Sequence, residues 1–145
     1  MNTGEGAGQL MKWTRRLGLT GAAVAAAVLS TVSPAQASTN SGWIYNATGG
    51  GAAFFDADLN GYPDVEKLTV CDNRSDGRGV IAYVYEYGAD DGPWAVEDPS
   101  NDGRCAFDNG TRFAEERRLW MDVCDYHYVE NRRIVDNCKM WIGYA

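Results

Sequence analysis

The sequence predicts an all-β domain, a small antiparallel β-sandwich or barrel, and three observations carry that expectation. Apolar residues recur at every second position in run after run. The plainest is "RLWMDVCDYHYV", where Leu119, Met121 and Val123 face one way and Trp120, Asp122 and Cys124 the other. Gly, Pro, Asn and Asp separate these runs at the spacing of a sandwich or barrel. No stretch sustains a 3.6-residue period. "FAEERRLWM" is the one helix candidate, and it reads as a strand entering the sheet.

The front of the chain reads as a leader rather than as part of this domain. Residues 17–32, "LGLTGAAVAAAVLSTV", form an apolar run behind Lys12, Arg15 and Arg16, and Ala35-Gln36-Ala37 supplies the small-residue pattern of signal-peptidase cleavage. We place a cleaved signal peptide over 1–37, with the cut between Ala37 and Ser38. Thr14 to Leu19, "TRRLGL", resembles a twin-arginine export signal, and paired basic residues also serve ordinary Sec leaders, so the export route stays open.

The remaining chain, residues 38–145, is read as a flexible arm over 38–51 and a β-domain over 52–145. The arm is small, polar and glycine-rich apart from Trp43-Ile44-Tyr45, which reads as an edge strand paired to its own domain. In order, "AAFF", "VEKLTVC" and "VIAYVYEY" follow, the last rich in β-branched and aromatic residues. Asp76-Gly77 reads as a hairpin turn between the second and third of these. Asp108-Asn109-Gly110 reads as a turn joining "RCAF" to "TRFAEE", and "CKMWIGY" closes the chain. Tyr83, Tyr85 and Tyr87 share one face of their strand. We assign that face to the core, leaving Val84 and Glu86 outside; the reverse would present a tyrosine stripe to sugars or a protein partner.

Cysteine count and charge narrow the function. Cys71, Cys105, Cys124 and Cys138 are an even set in a short exported chain, which reads as two disulfides with three connectivities open. Cys71–Cys105 and Cys124–Cys138 is the pairing we choose, because the second pair brackets a plausible hairpin. A zinc site is disfavoured, with no CxxC pair and His127 the sole histidine. The exported part carries 10 of the 13 basic and 19 of the 20 acidic residues, a net charge of about −9. Such a surface repels phosphate backbones and anionic membranes, so we expect no nucleic-acid partner and no membrane association after cleavage. Catalytic groups are sparse: no serine sits in a nucleophile motif to use His127 and Asp125, and the carboxylate pairs Glu115-Glu116 and Glu97-Asp98 lack the cleft that glycoside hydrolysis needs.

"DADLNGYPD", residues 56–64, is the candidate metal site. Calcium takes several oxygen ligands at about 2.3–2.6 Å. Asp56, Asp58 and Asn60 occupy positions 1, 3 and 5 of a loop, Tyr62 offers a backbone carbonyl at position 7, and Asp64 follows at position 9. Position 12 is Lys67, unlike the glutamate of an EF-hand, and the flanks are strands. The nine residues resemble the calcium loops of FG-GAP-type (integrin propeller) repeats, with Asn60 in place of the usual Asp and one copy only. That resemblance implies a single structural calcium on a β-hairpin, and it covers the loop rather than the fold.

Residues 52–145 also resemble the small secreted β-rich proteins of actinomycetes, through "LTVCDNRSDGRGVIAYVY" and "DVCDYHYVENRRIVDNCKMW". The resemblance implies a disulfide-linked sandwich and no particular activity. The resulting expectation is a secreted, extracellular, non-catalytic interaction module, part of an extracellular assembly or an inhibitor, with an extracellular protein partner. The alternative is a calcium-assisted carbohydrate-binding module. If calcium pins the 56–64 loop, the melting temperature in millimolar calcium exceeds that in chelator; identical melting curves exclude the ion.

Overall fold

The structure, a computed structural model, describes residues 38–62 and 64–145, so the leader expected over 1–37 lies outside the described residues. The strands are β1 (Trp43–Tyr45), β2 (Gly51–Asp56), β3 (Glu66–Asp72), β4 (Gly79–Glu86), β5 (Trp94–Asp98), β6 (Ala106–Gly110), β7 (Arg118–Val129) and β8 (Arg132–Tyr144). They form two four-stranded sheets, ordered β1-β2-β3-β6 and β5-β4-β7-β8, with every ladder antiparallel. Among the described residues no helix is long and apolar enough to cross a membrane.

Alternation turns one face of each sheet inward. Ala53 and Phe55 of β2 lie opposite Val70 and Leu68 of β3, while Ala82 and Val84 of β4 lie opposite Val123 and Met121 of β7. All eight belong to one buried cluster with Val80, Val96, Leu119, Ala57 and Ala145. Phe55 is fully buried at its centre, with ring centroids of Trp94, Phe113 and Trp141 at 6.5, 6.4 and 6.1 Å. At the other end Gly51 lies under Val80, where a Cβ would come within 2.2 Å of the valine methyl. Trp94 Nε1 donates to Asp108 at 3.0 Å, tying β5 of one sheet to β6 of the other.

Both disulfides have the expected pairing, Cys71–Cys105 and Cys124–Cys138. The first holds β3 to the chain entering β6. The second crosses β7 to β8 at a bulge, where the register steps between Val123 and Asp125 and Asn137 takes a left-handed φ of 54°. Two such bonds fit an oxidising, extracellular setting.

Several local expectations are corrected. Asp76-Gly77 does not close a hairpin, because β3 and β4 belong to different sheets and the intervening chain crosses between them. Asp108, Asn109 and Gly110 lie inside β6, paired to Leu68, Lys67 and Glu66. The segment after them, 111–116, is not a strand. The buried Glu66 carboxylate accepts from Arg112 N at 2.9 Å and Phe113 N at 3.3 Å, bending the chain so that Phe113 packs on Phe55. Residues 38–51 are fastened to the domain along much of their length. Trp43–Tyr45 pairs with β2 as the expected edge strand, Thr39 N donates to Tyr144 O at 3.1 Å, and Ala47 N donates to Asn137 O at 2.9 Å.

The central ring of the core gives a direct check. Phe55→Ala is expected to cost about 3–5 kcal/mol, because three large neighbours cannot collapse into the void; chemical denaturation of the disulfide-intact protein measures it.

Candidate functional site on the outer face of the second sheet

The face assignment of the tyrosine strand is reversed in the structure. Val80, Ala82 and Val84 fill the core, and Tyr83, Tyr85 and Tyr87 look outward. Their cross-strand neighbours follow by register: Tyr83 opposite Asp122 and Tyr85 opposite Trp120 on β7, with Met140 and Ile142 on β8 opposite Asp122 and Trp120. Tyr87 continues the ladder through its N–H to Arg118 O at 2.9 Å.

These side chains make one aromatic and apolar surface. Tyr85 stacks on Trp120 with centroids 5.2 Å apart, Tyr83 is 6.2 Å from Tyr85, and Tyr87 meets Trp120 edge-on at 5.9 Å. Arg118 lies over the Tyr87 ring at 5.1 Å. Large apolar groups stand open around them, Tyr87 at 64%, Met140 at 60% and Ile142 at 48% exposure. Further along, Ile81, Cys124 and Tyr126 form a small buried cluster on the same face, and Arg133 covers Tyr126 at 4.5 Å while pairing with Glu97 at 2.6 Å.

Asp122 sits in the middle, half-buried, and burial pushes its carboxyl above the ordinary aspartate range with nothing offsetting it. The other buried acids are built in differently. Asp125 accepts from Asn46 Nδ2, from Thr48 Oγ1 at 3.2 Å and from Asn137 Nδ2 at 3.0 Å, fastening the N-terminal segment to β7 and β8. Asp98 accepts Asp72 N at 2.8 Å, and Asp72 accepts Arg74 N at 2.9 Å beneath a shallow cleft lined by Arg74, Arg78, Ser100 and Asn101. Burial raises the Asp72 carboxyl, the Arg74 N–H opposes this, and Asp98, Asp76 and Asp125 add to it.

The residues singled out as metal ligands are spread along a connection. Asp56 ends β2, Asp58 precedes a 3-10 turn at Leu59–Gly61, and Asn60 and Gly61 take left-handed φ of 57° and 75°. Gly61 N donates to Asp58 O at 2.9 Å, Tyr62 N to Leu59 O at 3.1 Å, and Asp64 N to Glu115 Oε1 at 2.8 Å. Among the described residues no three His, Cys, Asp or Glu side chains are grouped as metal ligands. His127 lies on β7 opposite Ile134, and its strand neighbour Asp125 is held by Asn46, Thr48 and Asn137. Glu97 and Glu115 serve Arg133 and Asp64 N.

The sequence carries one signal for this outer face: Asp122 shares its side of β7 with Trp120, and a charge amid alternation marks the side away from the core. Comparison with family models, curated proteins and solved structures finds no match to this chain.

A carboxyl whose folded pKa is raised contributes stability that is full below its unfolded value and lost as pH rises through the folded value. Asp122→Asn is therefore expected to melt higher than the parent at pH 7 and alike at pH 3. Equal melting at both pH values would show that Asp122 titrates normally.

Proposed function

We propose that the protein is exported and works as a non-catalytic binding module that docks an extracellular protein through the outer face of the β5-β4-β7-β8 sheet. The observation that carries this reading is the exposure of Tyr87, Met140 and Ile142 around the Tyr85–Trp120 stack. Aromatics and methionine in one patch are the composition of interface centres. The two disulfides and the acidic surface suit an extracellular setting and a basic or neutral partner.

Carbohydrate is the less favoured ligand. Sugar stacking uses open ring faces, and Tyr85 and Trp120 lie against each other with planes 29° apart, while Arg118 covers one face of Tyr87. Calcium stays a proposal for the 56–64 loop. Asn60 and Gly61 supply left-handed turns there, and Asp56, Asp58 and Asp64 must swing together to share one ion.

Capture from native culture medium tests the docking reading. The double variant Tyr87→Ser/Ile142→Ser is expected to recover a partner at least about tenfold less than the parent, since each open apolar group lost costs roughly 1 kcal/mol or more. Equal recovery by a variant that melts like the parent excludes this face. Binding to a glycan array by the parent would move the reading to sugars.

A further inference from the structure

The outer face carries a specific chemical demand at its centre. Asp122 is flanked across the sheet by Tyr83 and Met140, and along its own strand by Trp120, with Tyr85 on the diagonal. Direct cross-strand neighbours have Cβ atoms about 4.5–5.5 Å apart, so aromatic and thioether groups wall the carboxylate on at least two sides. Among the described residues it has no hydrogen-bond donor and no ion-pair partner.

Three arginines beside this face are engaged elsewhere. Arg133 pairs with Glu97 at 2.6 Å, Arg117 with Glu86 at 2.6 Å, and Arg118 lies over Tyr87. Both sheets cap outer rings with the chain's own cations, Lys67 Nζ at 4.5 Å from the Phe107 centroid on the first and Arg118 over Tyr87 on the second. Among the described residues none of these cations pairs with the Asp122 carboxylate.

An unpaired, partly desolvated charge costs stability, and chains keep such groups where they bind something. A carboxylate beside electron-rich ring faces suits an organic cation, which gains charge attraction and cation–π contact together. We propose that Asp122, with Tyr83, Tyr85, Trp120 and Met140, is a receptor for one cationic side chain, a lysine ammonium or an arginine guanidinium, presented by a basic protein partner. The proposal rests on the docking reading and names the chemistry at its centre. The exported chain's net charge of about −9 draws a basic partner toward this surface.

Capped Gly-Lys-Gly and Gly-Arg-Gly, with Gly-norleucine-Gly as the uncharged counterpart, are the probes. Titrated into the protein and followed by the NMR signals of the Tyr83, Tyr85 and Trp120 rings, the charged peptides are expected to saturate in the millimolar range. Asp122→Asn should weaken them about tenfold, the loss of one charge-assisted contact. Asp122→Glu should restore part of the affinity. Asp90→Asn, an exposed acid in the turn after β4, removes the same net charge and should change nothing. Equal binding of the norleucine peptide, or an effect of Asp90→Asn as large as that of Asp122→Asn, overturns the receptor. So does full partner capture by Asp122→Asn where Tyr87→Ser/Ile142→Ser captures nothing, a result that leaves the docking face standing. Capture by both variants removes the face itself.

Discussion

The width of the space between the two sheets governs everything else in this molecule. Packed sheets sit about 10 Å apart, and that gap must be filled by side chains from both inner faces. Here one end is nearly closed, with the backbone of Gly51 against Val80, and the other is filled by Phe55 and the rings of Trp94, Phe113 and Trp141. Between these limits β4 can turn only small aliphatics inward. Val80, Ala82 and Val84 fit opposite β2 and β3, and three tyrosines would not. The rings of β4 are pushed out because the core is already full.

The outer aromatic face is thus a by-product of core packing that the rest of the sheet turns into a surface with chemistry. Trp120, placed opposite Tyr85 by register, completes a stack with its ring. Arg118 closes one end over Tyr87, and the Cys124–Cys138 bond steadies the β7–β8 ribbon beneath Met140 and Ile142. A rigid patch loses less entropy on binding than a mobile one. The acids divide along the same line. Asp125 and Glu66 are buried and fully used, one tying in the N-terminal segment, the other bending residues 112–113 into place. Among the described residues Asp122 stands apart, half-buried among rings with only desolvation acting on it.

Legibility differed from element to element for physical reasons. Strands such as Leu68–Val70 and Leu119–Val123 were readable because one face is buried and the other is not, so alternation is written in residue type. The disulfide pairing was readable because Cys124 and Cys138 bracket a hairpin. The connections were harder. Asp76-Gly77 has hairpin chemistry, yet Gly77 at φ 78° serves a crossing between sheets, since turn residues specify local backbone and not which sheet the next strand joins. Asp108-Asn109-Gly110 failed in the opposite sense: β6 is an edge strand, where pairing to β3 overrides turn propensity.

What the sequence determined by itself is the alternation, the turn residues, the cysteine count and the acidity, all properties of neighbours along the chain. β4 marks the limit of that information. Both its faces are apolar, so period-two patterning divides the residues into two sets without saying which set faces the core. Only the tertiary structure decided this, because the volume left by Phe55, Gly51 and their neighbours is a property of the assembled sheets. The same holds for Asp122: its place among the rings of Tyr83 and Trp120 and the sulfur of Met140 exists only once β4, β7 and β8 lie in register.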